Sequence, residues 1–190
     1  MSVNLVKGQK LNLSKEVTGL SKVVVGLGWD AAKRGFFGSP ANIDCDASAI
    51  ILGSDDKYKD VVYYGNRSGA NNCVYHHGDN LTGDGDGDDE QITVDLANME
   101  NAVGKIVFVV NIYACEQRKQ DFGMIKNAFI RLVDSSTGKE ICRYNRSEND
   151  WGKTAMIFAE VYKKHEEWKF NAIGQGTTDA SIGSLVKKYK

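Results

Sequence analysis

The chain has 190 residues, of which 42% are hydrophobic and 26% are charged, and its formal net charge is −1. This composition is ordinary for a globular protein, and the length suffices for a sizeable core, so we expect one domain over residues 1–190. The near-zero net charge argues against a nucleic-acid-binding protein, which normally carries a basic surplus. No apolar run approaches the length of a membrane span, and residues 1–5 lack the apolar core of a secretory signal. We therefore expect a cytoplasmic protein with no stable membrane insertion.

Two strand patterns open the chain. Residues 3–13 alternate apolar and polar side chains around a glycine-containing turn, which predicts a β-hairpin. Residues 23–29 are almost continuously apolar, which is typical of a strand that is buried on both faces. This second strand ends at Asp30 and is followed by a basic loop.

Residues 43–52 form a third strand pattern, which contains two carboxylates. In a strand, Asp44 and Asp46 project from the same face, while Cys45 and its apolar neighbours at 43 and 47 face the core. Two carboxylates on an otherwise apolar strand are costly to leave without a partner. The partner is either the basic loop, through Lys33 or Arg34, or a bound metal ion.

Residues 78–90 are the most acidic stretch of the chain. Five carboxylates lie between Asp84 and Glu90, and the only other residues in this interval are two glycines, which give the backbone unusual freedom. Hard oxygen ligands on a flexible loop favour calcium over magnesium, which requires strict octahedral geometry. The alternative is a solvated or disordered acidic loop. The apolar alternation of residues 92–96 favours the metal site, because it predicts a half-buried strand that anchors the loop.

The acidic stretch does not fit the EF-hand motif. Counted from Asp84, the sixth position is Asp89, where an EF-hand needs glycine, and the twelfth is Asp95, where it needs glutamate. If repulsion between the carboxylates dominates, replacement of Asp86 or Asp88 by Asn should be neutral or stabilising when calcium is absent.

The rest of the chain reads as further short strands and a terminal helix. Residues 106–113 are the most apolar run and should lie at the centre of a sheet, and residues 122–133 are ambiguous between a strand and a helical turn. Other strands are expected at residues 61–64, 73–77, 92–96 and 140–144, and a hairpin at residues 154–162 and 168–173. The spacing of Ile182, Leu185, Val186 and Tyr189 predicts an amphipathic helix. This pattern predicts an all-β fold: an antiparallel β-sandwich of two sheets with short helices.

Other chemistry has weaker support. His76 and His77 are adjacent, so in a strand they point to opposite faces; a zinc site that uses one of them with Cys73 remains an alternative. No Gly-x-Ser-x-Gly elbow is present, so nothing local supports a serine hydrolase. The four cysteines form no C-x-x-C pair, and we interpret them as reduced thiols that lie mostly in the core.

Four segments resemble the TerD family of bacterial tellurite-resistance and general-stress proteins. They are GLGWD at residues 26–30, DCDAS at 44–48, GDNLTGDGDGDDE at 78–90 and WKFNAIGQG at 168–176. The resemblance covers nearly the whole chain. It implies a cytoplasmic, calcium-binding β-sandwich with a role in tellurite and other stress responses and no established catalytic activity. The family's expected Asp-Leu-Asp reads Asp44-Cys45-Asp46 here, which changes the core-facing side and retains both carboxylates.

The candidate metal ligands come from three parts of the chain. They are Asp30, Asp44, Asp46, Asp79, Asn80, Gly83, Asp84, Asp86, Asp88, Asp89 and Glu90. A cluster of seven of their carboxylates would keep a charge of −5 with one calcium ion and −3 with two. We therefore expect about two calcium ions.

Three functions are compatible with such a site. The first is a calcium-loaded binding or scaffold module that acts with other stress-system proteins, including a membrane partner. The second is an enzyme of unknown substrate that uses the metal as a Lewis acid, for which no catalytic residues are visible. The third is calcium-bridged binding to membrane lipid, for which Phe36 and Phe37 beside Lys33 and Arg34 provide a candidate surface.

Overall fold

The computed structural model describes residues 2–31, 43–78, 87–148 and 150–190, with the backbone alone at residue 31. Thirteen strands are present in these ranges. They are β1 (Val3–Leu5), β2 (Lys10–Asn12), β3 (Lys22–Ala31), β4 (Cys45–Gly53), β5 (Tyr58–Val62), β6 (Ser68–Gly69), β7 (Val74–His76), β8 (Glu90–Asp95), β9 (Val103–Ile112), β10 (Ile125–Asp134), β11 (Glu140–Asn145), β12 (Ala155–Lys164) and β13 (Glu167–Thr177).

The strands form two sheets that pack face to face. One has seven strands in the order β1-β11-β10-β3-β8-β7-β6, and the other has six in the order β2-β13-β12-β9-β4-β5. All the pairings described are antiparallel except β1 with β11, which is parallel. The prediction of an all-β, two-sheet antiparallel sandwich is confirmed.

Alternating side chains from both sheets fill the core. Val23, Val25 and Leu27 of β3 point inward together with Ile92 and Val94 of β8, and all five are fully buried. The apolar run at residues 106–113 belongs to β9, which lies between β12 and β4 in the six-stranded sheet, as expected. These positions follow from hydrophobic periodicity, because a strand exposes alternate side chains to opposite faces.

The predicted N-terminal hairpin is wrong. β1 pairs with β11 in the seven-stranded sheet, whereas β2 pairs with β13 in the six-stranded sheet, so the turn between them crosses from one sheet to the other. Gly8 makes this crossing with φ of +79°, and its N–H donates to the Ala172 carbonyl at 2.6 Å. Alternation indicated the two strands correctly, but it carries no information about which partners they pair with.

The ambiguous segment after residue 121 contains both elements. A single 3₁₀ turn, Phe122–Met124, is capped by the Asp121 side chain and leads directly into β10. The hairpin of β12 and β13 is confirmed; its two-residue turn, His165 and Glu166, has φ of +53° and +61°. Positive φ at both central residues gives the turn a twist that matches the twist of the flanking strands, as a two-residue hairpin loop requires.

The remaining helices are short. They are α1 (Leu13–Glu16), α2 (Cys115–Arg118) and α3 (Ile182–Val186), with a second 3₁₀ turn at Lys187–Tyr189. As predicted, the C-terminal helix is amphipathic: Leu185 and Val186 are buried against Ile50 and Val109 on the outer face of the six-stranded sheet. In the part of the chain described, no helix has the length and apolarity that a membrane crossing requires.

The core packing gives a direct test of the fold. Replacement of the fully buried Val94 by Ala removes two methyl groups and leaves a cavity, so we expect the free energy of unfolding to fall by about 2 kcal/mol. The matched change at Val6, which is 67% exposed, should alter it by less than about 0.5 kcal/mol. Urea unfolding of both variants measures the difference, and equal stability losses would contradict this assignment of the core.

Candidate metal centre

Only part of the predicted ligand set lies in the described residues. Residues 32–42 and 79–86 lie outside them, and so do the candidates Asp79, Asn80, Gly83, Asp84 and Asp86. The basic and aromatic residues considered above, Lys33, Arg34, Phe36 and Phe37, also lie outside. The described candidates are Asp30, Asp44, Asp46, Asp88, Asp89 and Glu90.

The two flanks of the acidic stretch are held together by β7 and β8. The His77 N–H donates to the Gln91 carbonyl at 3.0 Å, and the Gly78 N–H donates to His76 Nδ1 at 3.1 Å. His77 Nε2 lies 2.7 Å from the Thr93 hydroxyl. The acidic stretch is therefore anchored at both ends to a paired strand, as the alternation of residues 92–96 predicted.

Glu90 links the two sheets. Its side chain is fully buried, and Oε2 accepts the Ala47 N–H at 2.8 Å. β5 pairs with β4 only from Ala49 onward, so the carboxylate takes the place of a strand at the uncovered edge of β4. The same oxygen lies 3.2 Å from Nε2 of the buried His76. Because His76 Nδ1 accepts from Gly78, Nε2 carries the proton and donates to Glu90.

Asp89 is held at the end of the pairing between β3 and β8. Its N–H donates to the Leu27 carbonyl at 2.8 Å, and its Oδ2 accepts the Trp29 N–H at 2.7 Å. The pKa of Asp89 is raised to about 6, mainly by burial and also by the negative charges of Asp30, Glu90 and Asp88, against the lowering effect of the hydrogen bond from Trp29. The site is therefore strongly negative around this carboxyl group.

Asp44 and Asp46 project from the outer face of β4, as predicted, while Cys45 faces the core. Both carboxylates are nonetheless largely buried. Arg118, the last residue of α2, lies 3.5 Å from Asp44 Oδ2, and Asn111 of β9 donates to Asp46 Oδ2 at 3.4 Å. Arg118 is thus a described cationic partner of this pair.

Four of the candidate carboxylates influence the pKa of the Cys45 thiol. The thiol is fully buried, and burial raises its pKa well above the usual value. The nearby charges of Asp46, Asp44, Glu90 and Asp89 raise it further. The structure thus brings carboxylates beside β4 and at the start of β8 to the same end of the sandwich as this thiol.

Asp88 lies apart from this group, on the outer face of the seven-stranded sheet. Arg131 binds it in a two-pronged ion pair, with Nε 2.7 Å from Oδ1 and Nη2 3.0 Å from Oδ2, and Gln91 Nε2 donates to Oδ2 at 2.9 Å. Gly26 makes this possible, because a Cβ at that position would lie 2.2 Å from the carboxylate. Asp88 is therefore paired with a cation. We no longer expect repulsion between carboxylates to decide how the removal of its charge affects stability.

Asp30 is exposed at the end of β3, where Asn127 Nδ2 donates to its Oδ2 at 2.7 Å. It borders a cavity of about 370 Å³ whose lining also includes Asp89, Arg143 and Arg146. Arg143 stacks over the Phe129 ring at 4.1 Å. This cavity places cationic side chains beside two of the candidate ligands.

The zinc alternative has no support in the described residues. Within them, no three His, Cys, Asp or Glu side chains are placed to hold a metal ion together. Cys73 donates to the Asn98 carbonyl at 3.2 Å. All four cysteines are free and buried, as expected, and burial raises the pKa of the Cys142 thiol to about 12. A thiol with so high a pKa is protonated at neutral pH and is a poor nucleophile.

The sequence did not predict that two arginines pair with the candidate carboxylates or that a buried histidine bonds to Glu90. Arg131 and Arg118 lie 43 and 74 positions from the carboxylates that they bind, so no local pattern marks them. His76 had a weak marker: it lies two residues after Val74 and therefore shares the inward face of β7.

Asp88 is the described carboxylate whose substitution is easiest to interpret. Its side chain is 1% exposed, so replacement by Asn leaves Arg131 with a weaker, neutral partner. We expect the free energy of unfolding, measured by urea in the presence of a chelator, to fall by about 1.5–3 kcal/mol, the range for hydrogen bonds to charged groups. The exposed Asp55, which accepts one hydrogen bond from Lys57, provides the matched control, and its replacement by Asn should have little effect. An Asp88→Asn variant that equals or exceeds the parent in stability would show that repulsion dominates.

Comparisons with known proteins agree with this fold and these segments. The TerD domain family matches residues 1–189. The chain is 49% identical over 198 residues to stress response protein SCP2 of Bacillus subtilis (strain 168), with 100% of both chains covered. It is 44% identical over 192 residues to tellurium resistance protein TerD of Serratia marcescens, with 100% of this chain and 97% of the relative covered.

A solved structure shows the same fold at low sequence identity. The homologue of telluride resistance protein (TerD) from Streptomyces coelicolor A3(2) superposes with a TM-score of 0.67 at 18% identity, covering 90% of this chain and 99% of that one. The two-sheet arrangement, the acidic stretch anchored between β7 and β8, and the full-length matches lead to one assignment. This chain belongs to the TerD domain family.

Proposed function

We propose that this protein is a calcium-binding module of a bacterial stress response of the tellurium-resistance type, and that it acts in the cytoplasm as a binding or scaffold protein without catalytic activity. The observation that carries the proposal is that the charges of Asp44, Asp46, Asp89 and Glu90 all act on Cys45 at one end of the sandwich. The same end is where the acidic stretch leaves β7 and enters β8. No three of the described His, Cys, Asp and Glu side chains are placed to hold a metal ion by themselves, so the acidic stretch would have to supply further ligands.

The chemistry of these groups supports calcium. All the candidate side-chain ligands are oxygen donors, which calcium prefers, and they number enough for the six to eight contacts that it takes. The raised pKa of Asp89, caused by burial and by adjacent carboxylates, shows that negative charge is costly there. A divalent cation would reverse this cost by replacing repulsion with attraction.

The placement of the carboxylates supports two ions. Asp44 and Asp46 lie on the outer face of the six-stranded sheet, whereas Asp30 and Asp89 lie at the end of β3 in the other sheet. Carboxylates that reach this end of the sandwich from two different sheets suit two neighbouring ions better than one. The pairing of Asp88 with Arg131 makes this residue the weakest of the described candidates.

A binding role fits the site better than catalysis. An enzyme that uses the metal needs an open coordination position beside a group able to transfer protons. Among the described residues that line the cavity at Asp89, the groups able to transfer protons are Asp30 and Asp89, which are themselves proposed calcium ligands. Arg146 is itself occupied, because it donates to Asp150 at 2.6 Å and to the Phe122 carbonyl at 3.1 Å. Arg143 is likewise paired, with Glu140 at 3.0 Å, so neither arginine is placed as a catalytic group.

The partners proposed are calcium and other proteins of the stress system, including one at the membrane. The names of the relatives support the stress role: SCP2 of Bacillus subtilis is a stress response protein, and TerD of Serratia marcescens is a tellurium resistance protein. The lipid-bridging alternative depends on Phe36 and Phe37, which lie outside the described residues.

Calorimetric titration of chelator-stripped protein tests the proposal. We expect more than one equivalent of calcium to bind, and magnesium to bind more weakly. At a hundredfold excess over Kd, calcium should stabilise the fold by about 2.7 kcal/mol, which a rise in melting temperature reports. Asp84→Asn and Asp86→Asn should weaken binding, whereas Asp55→Asn, an exposed control, should not.

Two results would overturn the proposal. One is the absence of both heat and melting-temperature change when calcium is added to the stripped protein. The other is an Asp84→Asn or Asp86→Asn variant that binds calcium as tightly as the Asp55→Asn control. If the chelator-stripped protein binds only one equivalent of calcium, the expectation of two ions is wrong, whereas the proposal of calcium binding stands.

A further inference from the structure

A second cavity, of about 210 Å³, lies on the outer face of the six-stranded sheet. Its floor comes from β4 and β9, and the residues just before α3 close one side. The residues that matter for its chemistry are Asp46, Ser48 and Asn111 on the floor and Tyr63, Tyr64 and Tyr113 around it. None of the calcium arguments above involves Ser48 or the three tyrosines.

Two buried polar atoms on the floor have no hydrogen-bond partner among the described residues. Ser48 is 1% exposed and Asn111 is 5% exposed. Neither Ser48 Oγ nor Asn111 Oδ1 has a hydrogen-bond partner anywhere in the part of the chain that the structure describes. Buried polar groups are nearly always paired, because an unpaired one forfeits its hydrogen bonds to water. Two such atoms side by side in a cavity indicate a ligand that supplies the missing donors.

The orientation of the Asn111 amide is fixed by Asp46. Its Nδ2 donates to Asp46 Oδ2 at 3.4 Å, and a flipped amide would place two oxygens against each other. Asn111 Oδ1 is therefore an acceptor, on a residue that lines the cavity. With the Ser48 hydroxyl and the Asp46 carboxylate, the floor presents three acceptors and a negative charge.

The tyrosine rings around the cavity are a second feature that favours a cationic ligand. Tyr64 and Tyr113 are 42% and 48% exposed, and Tyr63 meets Tyr64 edge to face with ring centroids 5.4 Å apart. The faces of tyrosine rings attract cations, as the Arg118 guanidinium shows by lying 5.2 Å from the Tyr113 ring centroid. Among the described residues that line the cavity, Asp46 is the only charged one, so the lining carries a single negative charge.

We propose that this cavity binds a small primary ammonium cation, either a free alkylamine or the side chain of a lysine. A primary ammonium group carries three N–H donors, which match the three acceptors, and its alkyl chain can lie against the tyrosines. A quaternary ammonium lacks the donors, and a bare metal ion is too small to fill the volume. Asp46 is also a candidate calcium ligand, so the test uses both calcium-loaded and chelator-stripped protein.

Titration followed by amide NMR tests the proposal with two probes, butylammonium and lysine blocked at its α-amino and carboxyl groups. We expect shifts at the Asn111 side-chain amide and at the backbone amides of Ser48 and Tyr113. Binding of both probes supports the site for any primary ammonium, and binding of blocked lysine alone assigns it to a protein partner. Tetramethylammonium and butanol, which lack the donors or the charge, should bind at least about fivefold more weakly.

Ser48→Ala separates a binding role from a structural one. Because the hydroxyl has no hydrogen-bond partner in the described ranges, its loss should leave the melting temperature unchanged or raise it, yet weaken butylammonium binding about fivefold. Tyr113→Leu, at the exposed rim, should weaken binding without unfolding the protein. Ser54→Ala, at an exposed serine at the other end of β4, should change neither property.

Three outcomes would overturn this inference. The first is no saturable shift with either probe in both calcium-loaded and stripped protein. The second is equal affinity for butylammonium and tetramethylammonium. The third is loss of calcium binding in Ser48→Ala, which would make the cavity part of a metal site.

Discussion

The structure depends on one buried carboxylate, that of Glu90. It accepts the backbone N–H of Ala47 in the six-stranded sheet and the imidazole N–H of His76 in the seven-stranded sheet. Where β5 ends, β4 would otherwise leave a backbone donor without a strand to receive it. A charged acceptor in this position is strong, because hydrogen bonds to ionised groups exceed those between neutral groups. The cost is a buried negative charge at the end of the sandwich.

The negative charge of Glu90 raises the pKa of the neighbouring acidic groups. Asp89, the preceding residue, is fixed by the Trp29 N–H, and Asp44 and Asp46 lie on the strand to which Glu90 is bonded. Arg118 approaches Asp44, and Arg131 neutralises Asp88 on the other sheet. The cations of the described residues therefore sit at the margins of the carboxylate group. A calcium ion held by the acidic stretch would supply positive charge at its centre and join segments that are distant in sequence.

Local patterns in the sequence were sufficient for the strands and for the direction of their side chains. The alternation at Ile92 and Val94 and the outward placement of Asp44 and Asp46 depend only on the two-residue period of a strand. The acidic stretch was identifiable for the same reason, since its residues are contiguous. Its attachment to β8 followed from the pattern immediately after it.

Long-range pairings could not be predicted in this way. β1 and β2 look like a hairpin, but their partners are β11 and β13, more than 100 residues away, and the choice depends on those strands. Asp88 looked like one of several repelling carboxylates until Arg131, 43 residues later, was placed beside it. The cavity with Ser48, Asn111 and Tyr113 likewise joins β4 to the end of β9 and has no contiguous motif.

A crystal structure of the calcium-loaded protein, with ions located by anomalous scattering, tests the central claim most directly. The account predicts calcium at the end of the sandwich near Cys45, with ligands from both the acidic stretch at residues 79–90 and the strand that carries Asp44 and Asp46. It also predicts that Glu90 keeps its bond to the Ala47 N–H. Calcium bound only elsewhere on the surface, or coordinated without any carboxylate from these two segments, would contradict the account.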